Sequence, residues 1–117
     1  MDMAGGKGIS LWKLFTGVTG WHISSVVGTA DDVPLKFPDK GAVIIGTEKQ
    51  PKWLMFDCPC GTGHFVKVTL DPANNPHWKV LQAKKLSVYP SIEVRTPDRH
   101  CHFMITNGNI VWVNSTK

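Results

Sequence analysis

Apolar residues in this chain occur in short runs, and turn-forming residues separate one run from the next. Val, Ile, Phe and Trp dominate the runs, whereas Gly, Pro and Asn mark the breaks, which is the pattern of short β-strands joined by turns. Strands at such close spacing, with little helical pattern, predict a mostly β protein: a compact antiparallel sandwich or barrel. The predicted strands are residues 42–46, 52–57, 64–70, 78–82, 86–89, 102–106 and 109–114.

The clearest turn signal is the pair Asn107-Gly108, which lies between the last two predicted strands. Both residue types tolerate positive φ, so we predict a type I′ hairpin there. Residues 71–76 are rich in Asp, Asn and Pro, and we predict a loop.

The pattern is less regular before Gly41. Residues 1–8 are Gly-rich and are predicted to be loose. Residues 9–15 fit one short helix, capped by Ser10 and ended by Gly17, with a strand as the alternative. Residues 17–40 contain only short apolar pieces, such as 23–27, and are predicted to be irregular, with at most one strand. We therefore predict a single domain over residues 9–117.

The composition is that of a globular protein, because 42% of the 117 residues are hydrophobic and 19% are charged. No apolar stretch is long enough to span a bilayer, and the N-terminus lacks the apolar core of a signal peptide. We therefore expect no membrane association and a cytoplasmic location, in the host cytoplasm if a phage encodes the protein. The net charge of +4 is spread over scattered lysines, so it gives only weak support for nucleic-acid binding.

The cysteines indicate a metal site. Their number, three, is odd, and a disulfide between Cys58 and Cys60 would close a strained ring across Pro59. Pro59 biases Cys58 towards an extended backbone, so both sulfurs can face one side, and Gly61 and Gly63 allow a tight turn after them. Thiolates presented in this way suit Zn²⁺.

A second group of potential ligands, His100, Cys101 and His102, lies directly before a predicted strand. In a regular strand Cys101 faces one way and the two histidines face the other, although a bend would bring Cys101 and His102 to one ion. The predicted zinc ligands are Cys58, Cys60, Cys101 and His102, with His64 and His100 as alternates. The competing interpretation treats the three cysteines as small buried apolar residues.

Three functions remain open. Thiolate-rich ligation is typical of closed structural zinc sites, and neither H-E-x-x-H nor the deaminase motif is present, so we favour a non-enzymatic adaptor domain that binds another protein. Residues 11–15 could supply an apolar docking face or pack on the protein's own sheet. The second function is a zinc hydrolase with His64 or His100 near an open coordination position and Asp57 or Glu93 as base. The third is a nucleic-acid-binding accessory protein that stacks bases on tryptophans.

The order of several short motifs resembles a small bacterial and phage family catalogued as a domain of unknown function. The motifs are Cys58-Pro59-Cys60-Gly61-Thr62-Gly63-His64, Pro90-Ser91-Ile92, Cys101-His102-Phe103 and Asn107-Gly108, and the resemblance covers residues 41–113. The family often has a further cysteine where this chain has Thr62. Its absence here favours Cys58, Cys60, Cys101 and His102 as the metal ligands. Gene neighbourhoods of some members contain bacterial ubiquitin-like conjugation components, which implies an accessory or adaptor role.

Overall fold

The computed structural model describes residues 20–82, 84–97 and 99–113. The predicted loose segment at 1–8, the helix at 9–15 with its apolar docking face, and the end of the strand predicted to reach residue 114 lie outside the described residues. The described part contains two four-stranded sheets, with strand orders β1-β2-β3-β4 and β5-β6-β7-β8. The strands are β1 His22–Val27, β2 Gly41–Gly46, β3 Pro51–Asp57, β4 Phe65–Thr69, β5 Lys79–Gln82, β6 Ser87–Arg95, β7 His100–Thr106 and β8 Asn109–Trp112, with a short 3-10 helix at Ala30–Asp32.

The mostly β prediction is confirmed, since each run predicted as a strand overlaps an observed strand. The one strand allowed within residues 17–40 is β1, which contains the apolar piece 23–27, but its pairing was not predicted. β1 runs parallel to β2, whereas β2, β3 and β4 pair antiparallel. A parallel pair needs a crossover rather than a tight turn, and residues 28–40 provide this connection.

A bulge of three residues interrupts the pairing of β6 with β7. Val88 pairs with Ile105 and Ile92 pairs with Phe103, so residues 89–91 together face the single residue Met104. The sequence pattern ended this predicted strand at residue 89, whereas the structure continues β6 through Pro90-Ser91-Ile92 to Arg95. A bulge accommodates a proline inside a strand because it interrupts the hydrogen-bond ladder to which proline cannot donate.

The hairpin between β7 and β8 also helps to join the two sheets. Asn107 and Gly108 have φ values of 54° and 82°, which agrees with the predicted turn. The Gly108 carbonyl accepts a hydrogen bond from the Trp21 N–H at 2.9 Å, and the Gly108 N–H donates to Leu86 O at 2.8 Å. The hairpin is therefore held against the residue that precedes β1.

The inward side chains of both sheets form one apolar core. Phe56 of β3 and Phe103 of β7 are completely buried, with ring centroids 6.2 Å apart in an edge-to-face arrangement. Trp21 extends this aromatic row on one side and Trp112 on the other. Cys58 and Cys101 are also buried in this core. Among the described residues no helix has the length and apolar character that crossing a bilayer requires.

Replacing Phe103 with Ala tests this core. We expect Phe103→Ala to lower the free energy of unfolding by about 3–5 kcal/mol, because it removes a buried ring and leaves a cavity. Urea denaturation at fixed metal content measures the change. Phe65→Ala is the matched control, since Phe65 is 57% exposed, and an equal loss in both variants would contradict this account of the core.

Candidate metal centre and a neighbouring serine–histidine pair

The segment after β3 folds into a tight loop that presents two cysteines and a histidine. The Cys58 N–H donates to His64 O at 2.9 Å, and the Gly61 N–H donates back to Cys58 O at 3.2 Å. Gly61 and Gly63 have φ values of 78° and 93°, which side chains with a Cβ rarely adopt. These glycines close the loop as the sequence suggested.

Four donor atoms converge at this loop. The sulfurs of Cys58, Cys60 and Cys101 and a ring nitrogen of His64 all lie within 4.8 Å of one another. In a tetrahedral zinc site, Zn–S bonds of about 2.3 Å and Zn–N bonds of about 2.0 Å place the donor atoms about 3.5–3.8 Å apart. The group therefore fits a metal ion with a small contraction, and its soft donors suit Zn²⁺.

The third sulfur comes from the other sheet. Cys101 lies in β7 and points into the core, where it is 4% exposed, so the donor group connects the β3–β4 loop to β7. The flanking residues His100 and His102 are not buried, because successive side chains of a strand face opposite sides. The structure thus brings together the predicted Cys58, Cys60 and Cys101 with the alternate His64.

The other two histidines that were considered as ligands, His100 and His102, have partners outside this group. His102, the predicted fourth ligand, has its Nε2 atom 2.9 Å from Ser91 Oγ, and the alternate His100 contacts Glu93 Oε2. β7 does not bend to turn His102 towards the Cys101 sulfur. The fourth donor near the three sulfurs is His64, which the glycine loop places there.

The three thiols have different proton affinities. Burial raises the pKa of Cys58 to about 12 and also raises the pKa of Cys101. Burial also acts to raise the pKa of Cys60, but hydrogen bonds with Thr62 and His64 outweigh it and lower the pKa to about 6. Without a cation, therefore, Cys60 is the thiolate of the group and the other two cysteines keep their protons near neutral pH.

Thr62 has a defined place in this arrangement. Its hydroxyl lies 2.9 Å from Cys60 Sγ, while His64 Nε2 lies 3.0 Å from the same sulfur. The hydrogen bond with Thr62 contributes to the lowered pKa of Cys60. The residue at which the chain departs from the resembled family thus stabilises the charge of one donor instead of adding another thiol.

Ser91 and His102 form a polar pair on the outward side of the second sheet. Ser91 lies in the bulge of β6, and its carbonyl accepts a hydrogen bond from Trp78 Nε1 at 3.1 Å. Glu93 is the direct cross-strand partner of His102, and its carboxylate also bonds Arg95 Nη2 at 2.9 Å. The pKa of Glu93 is lowered, mainly by the hydrogen bond with His100, so a negative charge lies beside both histidines.

Sequence reasoning missed the serine of this pair. Ser91 and His102 each occur in a motif that carried the family resemblance, but they are separated along the chain and no catalytic spacing connects them. The one feature of the sequence that could have indicated this pair is that both motifs carry polar residues next to predicted strands. The pairing depends on the bulge, which the sequence pattern did not reveal.

Metal content should distinguish His64 from His102. We expect Cys58→Ser and His64→Ala to lose most of the bound metal and to unfold at a lower temperature, because binding free energy in such sites adds directly to folding free energy. His102→Ala is the control and should retain one equivalent, measured by elemental analysis. The opposite result, with metal lost from His102→Ala and retained by His64→Ala, would support the ligand set inferred from sequence instead.

Metal affinity should rise with pH. Near pH 7.5, binding displaces the protons of Cys58 and Cys101, whose pKa values are raised, whereas Cys60, with a pKa of about 6, has already lost its proton. Release of about two protons predicts an apparent affinity that rises about 100-fold per pH unit between pH 7 and 8. Competition with a chromophoric chelator measures the slope, and an affinity independent of pH would contradict thiol ligation.

Comparison with known proteins gives one finding. A family model described as bacterial ubiquitination-like system serine protease (BubE) matches residues 29–113. Comparisons with curated proteins and with solved structures found no match. The matched family is bacterial, as the resemblance implied, and the match includes both the loop of the candidate metal site and the Ser91–His102 pair. Because the model covers more than half of the chain, the protein belongs to the BubE family of bacterial ubiquitination-like system serine proteases.

Proposed function

We propose that this protein is a serine protease of a bacterial ubiquitination-like system, with Ser91 as nucleophile and His102 as general base. The contact of 2.9 Å between Ser91 Oγ and His102 Nε2 carries the proposal. A nucleophile within hydrogen-bond reach of a base is the arrangement that serine catalysis requires. The family description supports the same chemistry.

The proposed mechanism follows from the orientation of the pair. With the proton of the neutral imidazole on Nδ1, Nε2 accepts the hydrogen bond of the Ser91 hydroxyl. As Oγ attacks a carbonyl carbon of the substrate, Nε2 takes the hydroxyl proton, and the resulting imidazolium then protonates the leaving group. Water would then attack the acyl carbon while Nε2 takes its proton, and the imidazolium would return that proton to Oγ as the acyl–Oγ bond breaks, releasing the carboxylic acid and regenerating the serine.

Glu93 is the acidic residue best located to support His102. It lies opposite His102 across the β6–β7 ladder, and the lowered pKa keeps its carboxylate ionised. A nearby negative charge favours the imidazolium that forms during the reaction. Its contacts with Arg95 and His100 hold the carboxylate on this side of the sheet.

The metal is proposed to be zinc with a structural role. Four protein donors leave no open coordination position, as in closed structural sites, and this argues against the zinc hydrolase considered from sequence. When bound, the ion would supply a crosslink between the β3–β4 loop and β7 at Cys101. Since His102 follows Cys101 directly, this crosslink would limit movement of the base relative to Ser91.

The proposed function specifies the kind of partner and the compartment that we expect. The substrate is expected to be a protein or peptide, which agrees with the protein partner inferred from sequence, and the compartment is expected to be the bacterial cytoplasm. The adaptor function remains the competing proposal. The adaptor requires partner binding but no activated serine. The reactivity of the Ser91 hydroxyl therefore distinguishes the adaptor from the protease.

A fluorophosphonate probe tests the proposal, because it labels serine hydroxyls that a neighbouring base activates. We expect labelling of Ser91 in the wild-type protein, and its loss in Ser91→Ala and His102→Ala. Turnover of an activated ester should fall on the order of 10⁴-fold or more in both variants, as in serine proteases that lose a member of the catalytic group. Mass spectrometry of the labelled peptide identifies the site.

Ser25→Ala is the matched control, because Ser25 lies in β1 of the other sheet. It should label as the wild type does. Absence of labelling from a folded, metal-loaded wild-type protein would reject the protease and favour the adaptor. Ester turnover that survives Ser91→Ala but disappears with metal removal, without unfolding, would instead favour the zinc hydrolase.

A further inference from the structure

The short length of β5 leaves half of β6 with an open edge. β5 pairs with β6 only as far as the Lys79–Tyr89 register. Residues 92–95 of β6 pair with β7 on one side, and no strand among the described residues pairs with their other side. The second half of β6 is therefore an edge next to the bulge that contains Ser91.

β4 presents a second open edge, since it is the last strand of its sheet. The bonds from Leu70 N–H to Lys52 O and from Cys58 N–H to His64 O show that the even-numbered residues bond β3. Because bonding alternates along an antiparallel strand, the N–H and C=O groups of Phe65, Lys67 and Thr69 point away from β3. Thr69 O already accepts a bond from the Trp78 N–H at 2.9 Å.

The same reasoning gives the orientation of the β6 edge. Thr96 and Arg99 exchange both backbone hydrogen bonds at the turn into β7. The residues that bond β7 in β6 are therefore Val94 and Ile92, and the backbone groups of Glu93 and Arg95 point to the open side. Each edge thus offers alternate residues with hydrogen-bond groups that no described strand uses.

The two open edges border one groove. Its volume is about 500 Å³, and its walls are residues 65–69 of β4 and 92–95 of β6, with Trp53, Pro76 and Trp78. Trp78 closes one end, because its backbone N–H bonds Thr69 and its indole N–H bonds the Ser91 carbonyl. The groove therefore continues the line of β5 beyond Trp78. Ser91 is next to that end, because it directly precedes the lining residue Ile92 and its carbonyl bonds the Trp78 indole.

The side chains around the groove favour a polypeptide over a small polar ligand. Phe65 is 57% exposed and Trp53 is 36% exposed, so two aromatic side chains face solvent at the β4 wall. Lys67 Nζ lies 4.5 Å from the centroid of the Trp53 ring, and Arg95 is paired with Glu93. The walls thus combine exposed aromatic surface with charges that already have partners.

We propose that this groove binds an extended peptide segment as an added β-strand, which delivers the substrate of the proposed protease to Ser91. Addition of a strand to an exposed edge is a common mode of peptide recognition, in which main-chain hydrogen bonds supply affinity. A five-residue edge is about 17 Å long, which suits four or five residues of an extended peptide. The identity of the occupant as substrate rests on the proposed function, but the strand-binding geometry does not.

The experiment uses a phage-displayed library of random eight-residue peptides, selected against the Ser91→Ala protein so that bound peptides are not cleaved. We expect the selected peptides to shift the NMR amide signals of Phe65, Lys67, Glu93 and Arg95 more than those of Val66 and Val94. Lys67→Pro removes one N–H from the groove without breaking the β3–β4 ladder. Relative to Lys67→Ala, it should weaken binding by about three- to tenfold.

Lys67→Ala is the matched control because it loses the same side chain and keeps the N–H. Equal affinity of the two variants, shifts confined to other surfaces, failure to select any peptide, or shifts caused by self-association alone would each overturn the proposal. Fluorophosphonate labelling of the wild type separates this result from the proposed function. Labelling without groove binding rejects only the groove, whereas groove binding without labelling leaves a peptide-binding adaptor.

Discussion

Cys101 and His102 are neighbours in β7, and the alternation of side chains along the strand sends them to opposite faces of one sheet. Cys101 points into the core and joins the donors of the β3–β4 loop, while His102 points outward and meets Ser91. The candidate metal-binding group and the serine–histidine pair are therefore coupled through a single peptide unit. Any displacement of β7 that separates Cys101 from Cys58 also moves His102 relative to β6.

This coupling gives the buried thiols a defined structural role. Cys58 and Cys101 are buried at the sheet interface, and burial raises the pKa values of both thiols. Uncharged thiols would contribute only ordinary apolar packing there, whereas thiolates around a divalent cation would form strong bonds between the sheets.

The sequence predicted the strands better than the site, for a physical reason. Strands and tight turns depend on local preferences, so β-branched runs and the Asn107-Gly108 pair located most of them. The parallel pairing of β1 and the bulge at Ser91 depend on contacts between distant segments, which no local pattern encodes. The three cysteines were identifiable because few other roles suit them, but the structural grouping of His64 rather than His102 with them depended on two glycine φ angles. Ser91 carried no signal of its own, since a serine in a strand is ordinary until its neighbour is known.

The bulge that displaces Ser91 and the short length of β5 occur at the same place in the second sheet. Tyr89 is the last residue of β6 that pairs with β5, and the bulge begins at the same residue. Open strand edges usually invite aggregation, and proteins commonly protect them with charged residues. Here Lys67, Glu93 and Arg95 provide those charges, which disfavour pairing with another whole sheet, yet their backbone groups remain directed into the groove. An edge protected in this way can still accept a single extended chain, so charges that disfavour sheet-to-sheet pairing are compatible with binding of one peptide in the groove.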